Sequence, residues 1–229
     1  MFPNNKIDYT LLDNSASNEA IESLCKKAIQ LGVKSVCVMP KHVEQASTLL
    51  TDSKVLVCSV VSFPSGENTI EEKIDELIEI VKNGADEVDV VWNYHKIEEP
   101  EYLKTELAQI NDSRDQLKTK KGNKPLLKII VESGLLTDEQ TVLATKICME
   151  TGVDFIKTST GKVAIGAELS KVQTMKNTVG NHSLKIKASG GIRTIEQVEN
   201  FNSLVDRFGI GFASVDEMNG IKSSEKSDY

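Results

Sequence analysis

Along the chain, short apolar runs alternate with longer stretches in which apolar residues return every three or four positions. The runs Ile7 to Tyr9, Ser35 to Val38, Val55 to Val61 and Glu87 to Val91 predict four strands, and Leu126 to Val131, Asp154 to Lys157, Lys185 to Ala188 and Val205 to Gly211 predict four more. Helical spacing fills the intervals. From Thr69 to Lys82, the residues Ile70, Ile74, Leu77, Ile78 and Val81 form one apolar stripe, and Gly84 follows as a C-cap. Ser17 to Leu31, with Gly32 behind it, and Lys41 to Leu50 predict further helices. Thr69 with Glu72, Thr137 with Gln140 and Thr194 with Gln197 each match the capping box that satisfies orphan amides at a helix start.

Strand alternating with helix predicts a parallel sheet. Eight units in 229 residues give about 29 residues each, the spacing of a closed (β/α)8 TIM barrel. A doubly wound open sheet is the competing architecture. Lys157-Thr158-Ser159-Thr160-Gly161 and Lys187-Ala188-Ser189-Gly190-Gly191 stand 30 positions apart at two strand ends, an internal echo that favours regular repetition. After Gly211 only Ser214 to Met218 has helical character, so the last helix is expected to be truncated. The expected organisation is one domain over 1–218 and a polar, mobile tail over 219–229.

Composition narrows the function classes. A net charge of −7 disfavours polyanion binding. The one basic run, with Lys118, Lys120, Lys121, Lys124 and Lys128, has no aromatic for base stacking and reads as a solvated loop entering a strand. No stretch approaches the roughly 18 consecutive apolar residues of a membrane span, and the first residues lack a signal-like apolar core, so a cytoplasmic protein is expected, with no nucleic acid and no membrane as partner. Cys25, Cys37, Cys58 and Cys148 show no CxxC spacing and read as buried thiols, Cys37 also as a candidate pocket residue at the end of the second strand. His42, His95 and His182 lack metal-ligand spacing, and no metal is expected.

Alternation within the strands places some charges on the wrong side. In the fourth strand Val88 and Val90 share the face turned to the helices, which leaves Asp89 pointing into the barrel. The same parity turns Lys157 inward opposite Ile156, and Lys187 inward against Ile186 and Ala188. A buried salt bridge would explain any one of these. All three fall near strand C-termini, where barrel enzymes carry their sites, and together they favour catalysis. At an ordinary lysine pKa only about one side chain in 2,500 is neutral at pH 7. A second cation in a desolvated pocket lowers that pKa and raises the nucleophilic fraction, while a carboxylate with a bound water carries the protons. Ser189-Gly190-Gly191-Ile192-Arg193, leading into the Thr194 cap, and Gly161-Lys162 offer amides, a helix N-terminus and cations to a phosphate.

The segments Glu87 to Val91, Phe155 to Val163 and Lys187 to Thr194 resemble the deoxyribose-phosphate aldolase family, and the likeness runs from Asp8 to Gly209, including Cys37 with Met39-Pro40 and the Phe63-Pro64-Ser65-Gly66 loop. The resemblance implies a lyase that reversibly cleaves 2-deoxy-D-ribose 5-phosphate to acetaldehyde and D-glyceraldehyde 3-phosphate, without metal or organic cofactor. It further implies Lys157 as the Schiff-base lysine, Lys187 as its activating neighbour, and Asp89 as the acid/base. It assigns Asp8 and Thr160 to the polar pocket, Gly161, Lys162, Gly190, Gly191 and Arg193 to the phosphate, and the terminal Tyr229 to enamine protonation. The chain departs from the family in Phe208 to Ser214, where Gly211 and Phe212 stand in the places of hydroxyl residues, leaving the amides of Gly209 and Gly211 to compensate. Another Schiff-base sugar-phosphate aldolase or transaldolase, and a catalytically silent sugar-phosphate-binding barrel, are the alternatives. A homodimer is allowed, not fixed, by the sequence.

Overall fold

A computed structural model of the chain describes residues 2–163 and 165–221. Eight parallel strands close in sequence order: β1 (Ile7–Leu11), β2 (Ser35–Val38), β3 (Leu56–Val61), β4 (Glu87–Val91), β5 (Leu126–Ile130), β6 (Phe155–Lys157), β7 (Lys185–Ser189) and β8 (Arg207–Gly211). β8 pairs back onto β1, with Asp8 opposite Gly209 and Thr10 opposite Gly211, so no strand edge remains and the open-sheet alternative is excluded.

The helices α1 (Asn18–Leu31), α2 (Val43–Leu49), α3 (Ile70–Asn83), α4 (Pro100–Asp115), α5 (Asp138–Glu150), α6 (Leu169–Val179), α7 (Ile195–Asn202) and α8 (Phe212–Met218) follow their strands. All three capping boxes form, with the Thr69, Thr137 and Thr194 side chains accepting from the amides of Glu72, Gln140 and Gln197. α1 and α3 end at Gly32 and Gly84 in the left-handed region, where a Cβ would be strained. The segment from Lys41 splits, because Pro40–His42 forms a 3-10 turn before α2 begins.

α8 is the truncated element that the pattern predicts. It is held by a buried bond from Tyr9 Oη to Asp216 Oδ1 at 2.5 Å and by Lys27 on Asp216 Oδ2 at 2.6 Å. Asn219, placed in the tail by composition, is tied down instead: its Nδ2 donates to the Val215 carbonyl at 2.9 Å, and its Oδ1 accepts from Asn4 at 3.2 Å. Gly220 and Ile221 also bond back to α8, through amides on the Glu217 and Asp216 carbonyls at 3.0 and 2.9 Å, and 222–229 lie outside the described residues.

The fold keeps two apolar regions apart. The larger lies between the outer strand faces and the helices and takes in Val88, Val90, Ile156, Ile186, Ala188 and Phe208, the residues that alternate with inward charges. The smaller sits inside the barrel, where Leu12, Cys37, Cys58 and Val60 pack with Met39 and Phe63. The rest of the interior is rich in charge, set beside the buried Val91, Ile130 and Phe155.

Candidate active site

Asp89, Lys157 and Lys187 meet inside the barrel, all fully buried. Lys157 and Lys187 are register partners on β6 and β7, the structural form of the 30-residue echo, so their side chains leave the sheet side by side. Both ammonium groups reach the same oxygen: Asp89 Oδ2 lies 2.8 Å from Lys157 Nζ and 2.7 Å from Lys187 Nζ. The two nitrogens are therefore less than two hydrogen-bond lengths apart.

A third lysine joins them. Lys128, read from the basic run as part of a solvated loop, is fully buried on β5, in register with Asp89, with Nζ 2.8 Å from Asp89 Oδ1 and 2.7 Å from Glu87 Oε2. Lys128 alternates with Leu127 and Ile129, which face the helices, and the crowd of lysines before it masked that parity. Arg207, on the same face of β8 as Gly209, closes the network from below: Nη1 lies 2.6 Å from Asp8 Oδ1 and 3.0 Å from Glu87 Oε2, and the guanidinium sits over the Phe155 ring. Asp8 also accepts from Ser35 Oγ at 2.7 Å and lies 2.5 Å from Lys187, an ionic contact that lacks hydrogen-bond geometry at Oδ2.

This cluster sets Asp8, Glu87 and Asp89 against Lys128, Lys157, Lys187 and Arg207, one more cation than anion when all are ionised. Burial by itself would push the carboxyl of Asp89 up. Lys128, Lys157 and Lys187 outweigh it and hold that carboxyl well below the usual range, so Asp89 stays a carboxylate. Asp8 is depressed in the same way, with Arg207, Lys187 and Lys128 overcoming burial. Burial opposes protonation of Lys128 and Lys187, but Asp89 with Cys58 and Glu87 raises the first well above the ordinary value, and Asp8 with Asp89 raises the second.

Thr160 is buried beyond β6 and turned toward a residue absent from the sequence reading. Its hydroxyl donates to Glu132 Oε2 at 2.7 Å, its amide donates to the same oxygen at 3.2 Å, and its Oγ1 accepts from the Lys162 amide at 3.1 Å. Glu132 follows β5 with φ 53°, in the left-handed region, and burial raises its carboxyl despite the Thr160 bonds. Its Oε1 has no hydrogen-bond partner among the described residues. A non-glycine residue in that backbone region was the only local hint, and it is invisible in one-dimensional patterning.

The two glycine loops touch. A Cβ on Gly190, which has φ 86°, would lie 3.2 Å from Gly161 Cα and from Gly166 Cα, so these backbones approach only because side chains are missing. Gly191 opens onto free space, and Lys162 and Arg193 are exposed at the same end of the barrel. Gly209 and Gly211 lie within β8, Gly211 also serving as N-cap of α8. Cys37 is buried in the small interior cluster, and Tyr229 lies outside the described residues.

A closed (β/α)8 barrel with a lysine-rich, carboxylate-bridged centre at its strand ends defines a class of barrel enzymes built for amine nucleophile chemistry. Residues 7–212 match the DeoC/LacD family aldolase model, and the chain belongs to that family. It is 40% identical over 219 residues to the deoxyribose-phosphate aldolase of Dictyoglomus turgidum, covering 94% of this chain and 95% of that protein. The solved structure of QR15, an aldolase, superposes with TM-score 0.84 at 36% identity over 93% of this chain and 94% of its own. The deoxyribose phosphate aldolase of Aeropyrum pernix, described as a unique tetramer, superposes with TM-score 0.84 at 27% identity over 95% and 89% of the two chains.

Proposed function

We propose that the chain is a deoxyribose-phosphate aldolase that works through a Schiff base on Lys157. The observation that carries this reading is the pair of register-matched lysines bridged by one Asp89 oxygen. With four cations against three anions, loss of one proton brings the cluster to neutrality. Lys128, Lys187 and Arg207 are each held protonated more firmly than the free groups, and the resemblance of the segment around Lys157 to the family motif gives that lysine the nucleophile's part.

In the cleavage direction, the Lys157 amine adds to the aldehyde carbon of open-chain 2-deoxyribose 5-phosphate, and water leaves to give the iminium. The C3 hydroxyl then gives up its proton as the C2–C3 bond breaks. Glyceraldehyde 3-phosphate departs, and the electron pair remains as an enamine on Lys157. Protonation at C2 and hydrolysis release acetaldehyde. Asp89, a standing carboxylate, accepts and relays protons through water, and Lys187 keeps the local potential positive. Asp8 and Thr160 shape the polar pocket, Cys37 lines it, and Tyr229 assists protonation of the enamine. The phosphate rests against Gly161, Lys162, Gly190, Gly191 and Arg193, with the amides of Gly209 and Gly211 as further donors. No metal or organic cofactor takes part.

No helix among the described residues is long and apolar enough to cross a membrane. We assign the enzyme to the cytoplasm, without nucleic-acid partners; a homodimer is an assembly the chain allows, which light scattering on the purified protein tests. For the activity, acetaldehyde release from 2-deoxyribose 5-phosphate is measured, and borohydride with substrate is used to trap a two-carbon adduct on Lys157. Lys157→Ala should abolish both. Turnover that persists in this variant, or an adduct on another lysine, overturns the assignment, and product analysis across several sugar phosphates separates this activity from transaldolase chemistry.

A further inference from the structure

Cys37 and Cys58 are register partners on β2 and β3, and both side chains turn into the barrel. Adjacent strands lie about 4.8 Å apart, inside the Cα separation that a disulfide tolerates. The two sulfurs and an Asp89 oxygen all lie within 4.8 Å of one another. Cys58 Sγ also donates to Asp89 Oδ1 at 3.3 Å and accepts from Lys128 Nζ at 3.4 Å, so one thiol of the pair touches the carboxylate that bridges the lysines.

We propose that Cys37 and Cys58 form an oxidisable pair that closes to a disulfide under hydrogen peroxide and disables the lysine site until a dithiol reopens it. Cys37 is the attacking sulfur: the Cys58 thiol beside it holds Cys37 below the ordinary thiol range, whereas burial holds Cys58 well above it. The Cys37 thiolate attacks one peroxide oxygen, the O–O bond breaks, and the sulfenic acid forms while hydroxide takes a proton and leaves as water. The Cys58 sulfur then attacks Cys37 Sγ. The S–S bond forms, the S–O bond breaks, and the departing hydroxide leaves as a second water with the Cys58 proton. Two thiols are oxidised by two electrons, and one peroxide is reduced to two waters.

Access follows from the fold. The interior cluster that contains both thiols includes Met39, Val60 and Phe63, and the same three residues line an open pocket of about 320 Å3 at the strand ends. Both thiols are fully buried, so the proposed route for peroxide runs from this pocket past those three side chains. The same three ligand atoms match the donor set of a thiophilic divalent cation, but Lys128 and Lys187 lie against Asp89 and are held protonated, and two cations at that range disfavour a third. Closure pulls Cys58 Sγ toward β2 and removes its proton from Asp89.

The test uses the purified full chain in metal-free buffer, treated with hydrogen peroxide, alkylated and digested. A Cys37–Cys58 linked peptide is expected, with Cys25 and Cys148, both on helices and held above the ordinary thiol range by burial, remaining alkylatable. Activity should fall about tenfold or more, as expected when a reacting group shifts by a fraction of an ångström, and dithiothreitol should restore it. In Cys58→Ala, peroxide should give no linked peptide and should leave Cys37 as a sulfenic acid that dimedone labels. Absence of the linked peptide in the wild type, recovery by a chelator in place of the dithiol, or a linked peptide joining Cys37 to another cysteine overturns the proposal. The linked peptide needs no substrate, so this result stands apart from the aldolase assignment.

Discussion

Replacing Lys187 with leucine removes one of two ammonium groups held on a single carboxylate oxygen and leaves a side chain that still fills the interior. Lys157 Nζ and Lys187 Nζ each lie within 2.8 Å of Asp89 Oδ2. At roughly 5 Å and an effective dielectric near 20, two unit charges repel by about 3 kcal/mol, equivalent to about two pKa units. Asp8, 2.5 Å from Lys187, offsets part of that repulsion. A net displacement of about one unit or more therefore remains. Without Lys187, three cations face three anions, and protonation of Lys157 no longer leaves the cluster with surplus positive charge. The acidic limb of kcat/KM for acetaldehyde release, which follows formation of the neutral nucleophile, should move to higher pH by that amount. Borohydride trapping on Lys157 should move with it. Lys187→Arg keeps the charge and should keep the limb in place even if turnover falls. A Lys187→Leu enzyme with measurable activity and an unmoved acidic limb would refute the electrostatic role.

Three further outcomes follow from the same geometry. Lys128→Met strips Asp89 and Glu87 of a buried partner and should lower stability by about 3–5 kcal/mol in denaturant titration; a change under 1 kcal/mol would show that water already reaches the cluster. Gly190→Ala forces a Cβ to 3.2 Å from two backbone carbons at φ 86°, costing about 1–3 kcal/mol, and should raise KM for the phosphorylated substrate more than for unphosphorylated deoxyribose; equal effects on both would detach these loops from the phosphate. Asp8 and Asp89 bind protons more weakly in the fold than in the unfolded chain, so their contribution is present above the unfolded carboxylate pKa of about 3.9 and is lost as pH falls through their depressed folded values. Glu106 and Glu132 are raised and act in the opposite sense, above the unfolded glutamate pKa of about 4.3; below about pH 4 they have no slope left to offset the loss, so a denaturation midpoint that stays flat there would refute the depressed carboxyls of Asp8 and Asp89.

Much of this architecture was legible in one dimension because its rules are local. Capping boxes at Thr69, Thr137 and Thr194 depend on residues three apart, and inward orientation of Asp89, Lys157 and Lys187 depends on the two-residue period of a strand. The eight-unit count and the short α8 come from the same local signals. Pairing is different. Asp8 and Arg207 stand 199 positions apart, and no spacing rule links them. Lys128 was hidden by the lysines of the loop before it, and its role emerged when closure of the barrel set β5 between β4 and β6. Glu132 acquired its place through a left-handed backbone and a partner on the next strand unit, and Cys58 through its register with Cys37. The chain by itself determined which side chains would point inward, since that follows from backbone period and solvent exclusion; which of them would neutralise one another was decided only when closure brought eight separate strand ends to one interior and the cost of buried charge selected the pairs.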